Sequence, residues 1–250
     1  MYNRLFIGVK RINLVEADST NAFMKELVSV SDSEIEGLVI VAENQLKGKG
    51  QQGNTWESEP RRNLTLSIFL KPNTLIQNQF LISKVVSLGI VDFLMDKGLK
   101  NVKIKWPNDI YVGSRKIAGI LIENLLKGNK VNSSIVGIGL NVNQSKFKSD
   151  NSPTSLINII GEEQNLEESL NHLLFFIEKN YILLKQQKEV GVNNAYLKYL
   201  YGLEEDLPFE LDGKKVQGKI KGVSALGKLQ VLINNELKEF NLKEIKFLIN

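Results

Sequence analysis

Residues 102–143 read VKIKWPNDIYVGSRKIAGILIENLLKGNKVNSSIVGIGLNVN, and this run constrains the fold more than any other. It is apolar in short bursts, interrupted only by turn residues. Pro107 and Asn108 start one turn, Gly113 and Ser114 make another, and KGNK is a hairpin tip. At least two strands precede that tip and a further strand follows it. Turns this short join neighbouring strands, so a sheet must form here.

The flanking sequence adds helices. RINLV reads as a short strand, and DSTNAFMKELVS as a helix entered through Asp18, Ser19 or Thr20, all good N-cap types. GLVIVAE is a buried strand, Asn44 to Asn63 a polar loop containing glycines, and LTLSIFL a strand with alternating features. QFLISKVVSLGIVDFLMDK is a long helix, with Gly98 placed for a left-handed C-cap. QSKFKSDNSP is poor in apolar anchors and reads as a mobile loop. Asn165, with Glu168 three residues on, opens the helix LEESLNHLLFFIEKNYILLKQQ, and NNAYLKYL is a shorter helix. After Gly202 come short strands punctuated by Asp-Gly, Leu-Gly and Asn-Asn turns. The expected architecture is α+β, a large domain followed by a small β-barrel.

Composition removes several chemistries. The chain has no cysteine, which excludes thiolate nucleophiles, disulfides and Cys-zinc sites. Its single histidine, His172, lies in an apolar helical run and reads as structural. The net charge of +4 is spread out as a solvated surface, and no nucleic-acid module is visible. The longest apolar stretches fall short of the roughly 18 residues of a membrane span. Lys10 and Arg11 interrupt any signal-like core. The expectation is a cytoplasmic protein that binds neither membrane nor DNA.

GKGQQG, residues 48 to 53, satisfies G-x-G-x-x-G. A dinucleotide fold would need a strand entering Gly48, a helix leaving Gly53 and an acid about 20 residues on. Here AENQLK intervenes before Gly48, Pro60 and a strand follow, and no Asp or Glu occurs from Pro60 to Val91. A P-loop would need Lys where Asn54 stands. What remains is an anion-binding loop or a flexible connection. Three glycines permit close backbone approach, Lys47 and Lys49 supply charge, and Trp56 can pin the loop's end.

KWPND and RKIAG form a second cluster. Trp106, Asn108 and Asp109 stand on a turn, and Lys116 begins a strand. Asp and Asn oxygens suit Mg²⁺, and Lys suits a carboxylate or phosphate. The competing reading is a charged hairpin with a solvated lysine.

GKGQQGNTW, KWPND, RKIAGILIE and GIGLNVN occur in the order and spacing of biotin protein ligases, which the chain resembles over essentially its whole length. The resemblance implies a mixed β-sheet flanked by helices, as in class II aminoacyl-tRNA synthetases and biotin ligases, over residues 1–202, with a small SH3-like β-barrel over 203–250. It implies ATP, Mg²⁺ and biotin, with biotinyl-5′-AMP formed and passed to a lysine of a biotin carboxyl carrier protein. Lipoate ligation and catalysis-free biotin sensing are the alternatives. The chain resembles the short form without an N-terminal DNA-binding domain, and family members often dimerise.

By resemblance Lys116, Asp109 and Lys49 are catalytic. Biotin falls to Ser19, Thr20, Asn21, Gln45, Gly48, Lys49, Gly50, Trp106, Lys116 and Gly119. The adenylate falls to Lys49, Gln51, Gly53, Asn108, Lys116 and Asn141, and the metal to Asp109 and Asn141. The family's GRGRxGR is altered here: Lys49, Gln51 and Asn54 stand where it carries arginines. Either another residue completes the adenylate cage, with Arg61, Arg62 and Arg115 as candidates, or the intermediate is held less tightly.

Overall fold

The computed structural model describes residues 3–30, 36–148 and 153–248. In chain order the elements are β1 (Arg11–Ala17), α1 (Thr20–Val30), β2 (Val39–Gln45), β3 (Leu64–Leu70), β4 (Thr74–Leu75), α2 (Phe80–Asp96), β5 (Val102–Lys105), β6 (Asp109–Val112), β7 (Arg115–Lys127) and β8 (Lys130–Leu140). Then come α3 (Leu156–Ile160), α4 (Leu166–Lys185), α5 (Glu189–Tyr199), β9 (Asp206–Leu211), β10 (Lys214–Val223), β11 (Leu229–Ile233), β12 (Glu236–Phe240) and β13 (Lys246–Phe247). The first sheet runs β1-β2-β3-β8-β7-β6-β5, with β4 paired to β8. Only β1 and β2 are parallel, so the sheet is mixed, as expected. The second sheet runs β12-β11-β10-β9-β13 and is compatible with an SH3-like unit.

The first sheet has two different faces. Strand alternation puts Leu66, Ile68, Ile104, Ile110, Ile120, Val136 and Ile138 on one of them, in one core with Val85 and Phe93 of α2 and Leu173 and Ile177 of α4. Gly89 lets the two helices cross closely, since a Cβ there would lie 2.7 Å from Ile177 Cα. The other face is covered by α1 at one end, where Met24 packs with Ile40, Phe69 and Ile135. The rest of that face is left open for a site.

Caps fall where the sequence puts them. Gly98 is left-handed with φ of 84°, and Asn165 Oδ1 accepts from Glu168 N at 2.9 Å. The QSKFKSDNSP loop lies partly outside the described residues. One expectation gains detail and one changes. LTLSIFL is buried on both faces, because Thr65 and Ser67 lie beneath other polar groups and not under water. Residues Ile76–Asp96 are long and apolar enough by composition to cross a bilayer. Their apolarity serves the core, in which α2 is buried among α4, α5 and the sheet. His172 is structural as expected: Nε2 lies 2.9 Å from Asp96 Oδ2, its ring meets Phe93 edge-on at 5.3 Å, and burial lowers its pKa.

Glu178 of α4 anchors the segment before β1. Its carboxylate accepts from the N–H groups of Leu5, Phe6 and Ile7 at 2.6, 2.8 and 2.7 Å. Truncation would orphan three donors, so Glu178→Ala is expected to lower the free energy of unfolding by about 3 kcal/mol in a denaturant titration.

The two sheets are joined by polar and apolar contacts. Just ahead of the second sheet Tyr201 N donates to Ile104 O at 2.9 Å, and between the sheets' units the Trp106 indole donates to Gly227 O at 2.8 Å. Gly227 has φ of 88°, and a Cβ there would meet the Phe80 ring at 2.6 Å.

Candidate active site

The open face of the first sheet forms a cavity of ≈ 990 Å³. Its chemistry begins with an irregularity in β7. Asp109 pairs with Gly119 and Ile110 with Ala118, but Tyr111 pairs with Lys116, so Ile117 is an extra residue. Plain alternation from Gly119 would bring residue 117 to the cavity. The bulge instead buries Ile117 in the core and turns Lys116 onto the Gly119 face. Lys116 Nζ then lies 2.7 Å from Asp109 Oδ1 and 5.5 Å from the centroid of the Trp56 ring.

The floor is made of glycine. Gly119 and Gly139 are cross-strand partners, and Trp56 lies over both. A Cβ at Gly139 would stand 2.2 Å from Trp56 Cε2, and one at Gly119 3.0 Å from Cζ3. The Trp56 Nε1 is buried with no hydrogen-bond partner among the described residues. At Gly137 a Cβ would collide with Asn21 Oδ1 at 2.5 Å, so that glycine lets α1 sit on the strand.

A polar network lines the end nearest α1. Gln45 Oε1 accepts from Thr20 N at 2.8 Å and Thr20 Oγ1 at 3.2 Å. Ser67 Oγ donates to Asn21 Oδ1 at 2.6 Å and lies 2.7 Å from Thr20 Oγ1. Asn21 Nδ2 donates to Glu123 Oε2 at 2.8 Å. Donors and acceptors thus alternate beside an apolar floor, an arrangement that suits a neutral ligand with both kinds of group.

Lys105 is a cation that the sequence reading did not assign. It alternates with Val102 and Ile104, and so points away from the core, paired with Asp109 across the β5–β6 hairpin and diagonal to Tyr111. Its ammonium is 3.3 Å from Tyr111 Oη, 5.0 Å from the Tyr111 ring centroid and 5.4 Å from that of Phe247 in β13. Burial lowers its pKa, with Asp109 opposing that effect and Lys116 adding to it. Burial and Asp109 push the Tyr111 hydroxyl up to about 12. Asp109 is already engaged by Lys116, which leaves Lys105 a half-buried charge without a salt bridge among the described residues.

Most of the expected residues meet here. Ser19, Thr20, Asn21, Gln45, Lys49, Gly50, Gln51, Trp106, Asn108, Asp109, Lys116 and Gly119 all line the cavity. Residue 116 and the glycine loop therefore share one space. The loop itself is a tight hairpin: Lys49 bridges Thr55, and Gly50 N donates to Asn54 O at 2.7 Å. Asn108 Nδ2 clasps β7 through Ile120 O at 2.7 Å.

Several of the expected residues lie elsewhere. Gly48 and Gly53 do not line the cavity; a Cβ at Gly48 would stand 2.7 Å from the Trp56 carbonyl oxygen, and Gly53 turns the loop with φ of 86°. Asn141 does not line it either, being buried with its Nδ2 donating to Thr154 O at 2.9 Å. Asp109 lines the cavity and Asn141 does not, so the two residues expected to hold a metal are not both among its lining, although Asn141 Oδ1 is buried without a hydrogen-bond partner among the described residues. No group of three His, Cys, Asp or Glu residues suits an ion among the described residues. Arg61 and Arg62 are engaged with Glu43 at 2.6 Å and Glu163 at 2.7 Å, and none of Arg61, Arg62 and Arg115 lines the cavity. The further cations there are Lys105 and, from the second sheet's side, Lys243 and Lys246.

The pattern of the biotin/lipoate A/B protein ligase family matches residues 15–141. A bifunctional ligase/repressor of Bacillus subtilis is 26% identical over 84% of this chain and 66% of its own. A chloroplastic biotin–protein ligase of Arabidopsis thaliana is 34% identical over 69% of this chain and 48% of its own. The chain thus spans less than two thirds of these relatives. A biotin protein ligase from Aquifex aeolicus, solved with biotin and ATP, superposes with a TM-score of 0.77 at 28% identity, covering 95% of this chain and 98% of that one. The matched residues run from β1 to the end of β8 and include the glycine floor, the bulge and Lys116, and on this evidence the chain belongs to the biotin/lipoate A/B protein ligase family.

Proposed function

We propose that the chain is a biotin protein ligase, which activates biotin with ATP as biotinyl-5′-AMP and transfers the biotinyl group to a lysine of a biotin carboxyl carrier domain. Residues 1–202 would be the catalytic unit and residues 203–250 the SH3-like one. The observation that carries this reading is the bulge that brings Lys116 into one cavity with Lys49.

Two anions must meet in the first step. At about 4 Å their repulsion is about 1 kcal/mol in water and about 4 kcal/mol near a protein surface. The Lys116 ammonium stands between the biotin carboxylate and the α-phosphate and offsets that repulsion. A carboxylate oxygen attacks phosphorus, and the bond to pyrophosphate breaks. In the second step a carrier amine attacks the acyl carbon, the bond to AMP breaks, and the amine gives up a proton. Asp109, held 2.7 Å from Lys116, would receive it. The network of Gln45, Thr20, Ser67 and Asn21 offers the ureido ring its donors and acceptors, and the glycine floor beneath Trp56 takes the tail.

Lys105 takes the phosphate chain in this reading, in place of an arginine of the glycine loop. Lys105→Met is expected to raise the KM for ATP about tenfold, or ~1.4 kcal/mol. Biotin affinity should stay within twofold, and the variant should melt no lower than the parent, because an uncompensated half-buried charge is removed.

The deciding assay is biotin-dependent ATP–pyrophosphate exchange, followed by transfer to a carrier domain. Exchange with lipoate but not biotin would replace the substrate. Biotin binding without exchange would leave a sensor.

A further inference from the structure

Lys84 projects from α2 on the side of the sheet opposite the active site. Only 4% of the residue is exposed. Its ammonium donates to Asn193 Oδ1 at 2.7 Å and lies 5.5 and 5.4 Å from the ring centroids of Phe80 and Tyr196. It forms no salt bridge among the described residues. Burial alone pushes its pKa down to about 8, with no neighbouring charge opposing the shift. Even so, most of the amine is protonated at pH 7.

The ammonium borders a second cavity of ≈ 270 Å³. Asn78 precedes α2, Glu189 and Asn193 belong to α5, and Lys221 and Gln230 come from β10 and β11. The cavity therefore lies where the two sheets' units meet. A cation taken out of water is costly unless an opposite charge compensates it. Lys84 has three N–H donors and one neutral acceptor, and open space lies beside it. The Asn193 amide turns its oxygen to Lys84, which leaves its N–H groups to donate. Lys221 adds positive charge, although Glu204 holds it at 2.6 Å. Glu189 opposes a ligand of high negative charge.

We propose that this second cavity is a binding site for a small, singly charged oxyanion, a carboxylate or a phosphate, anchored by the Lys84 ammonium. The site is separate from the ligase chemistry and does not depend on it. An anion there joins α2 and α5 to the second sheet, and so tightens the junction between the two units.

The test is thermal melting of the full chain at pH 7 and constant ionic strength, with acetate, inorganic phosphate or chloride. Acetate or phosphate is expected to raise the melting temperature saturably, and the comparison of the two identifies the source. Chloride is expected to do nothing. Lys84→Met should weaken the response at least tenfold and should melt higher than the parent without anion. Asn193→Asp supplies the missing carboxylate from within and should abolish the response while leaving Lys84 in place. No saturable shift with either oxyanion would overturn the proposal. So would a shift of equal size in both variants, since that anion would be bound elsewhere.

Discussion

Replacing Lys116 by Ala is expected to lower biotin-dependent pyrophosphate exchange by about 10³-fold, the scale of losing a preorganised charge in a shielded site. The loss should appear in kcat far more than in the KM for either substrate. The ammonium matters most when carboxylate and phosphate approach bonding distance. Arginine should not restore the rate. The planar guanidinium spreads its charge over a fork and cannot set one compact ammonium between the two anions. Folding should be unaffected, since the backbone of β7 is held by β6 and β8 on both sides. Exchange within tenfold of the parent for Lys116→Ala would remove Lys116 from the chemistry.

The identity of that residue was legible in the sequence, but its direction was not. Counting back from Gly119 in twos selects Ile117, and nothing in RKIAG announces the bulge that selects Lys116 instead. The β5–β8 meander was legible because its turns are short and carry Pro, Asn and Gly. The polar face of LTLSIFL was legible as alternation, yet its burial under α1 depends on contacts about fifty residues away in sequence. Arg61 and Arg62 lie away from the cavity for a related reason: Glu43 and Glu163, which hold them, are visible as partners only once the chain is folded. Lys105 could have been found. It alternates with Val102 and Ile104 and ends the strand that opens KWPND. Its cage could not, because Phe247 arrives from the far end of the chain.

Gly139→Val is expected to weaken biotin binding by about 100-fold, or ~2.7 kcal/mol. Even the first carbon of a side chain would meet the Trp56 ring at 2.2 Å, and valine adds two methyl groups where the floor must be flat. The ring would have to leave or the cavity would fill, and either removes the slot for an apolar tail. Gly191→Ala is the matched control. It lies in α5 with nothing within 4 Å of the new carbon, and should leave binding unchanged while gaining up to ~1 kcal/mol of helix stability. Calorimetric titration with biotin alone reads both. Parent-like affinity for Gly139→Val would mean that the tail does not run over this strand.

The hydrogen bond from the Trp106 indole to the Gly227 carbonyl has a practical consequence for dissecting the molecule. Trp106 is a wall of the large cavity and stands immediately before Pro107, Asn108 and Asp109. A fragment ending ahead of β9 would strand the indole proton of a cavity wall and uncover Lys105 at the same stroke. Such a truncation would report damage to the cavity wall, and its inactivity would say nothing about whether the small sheet recruits a partner.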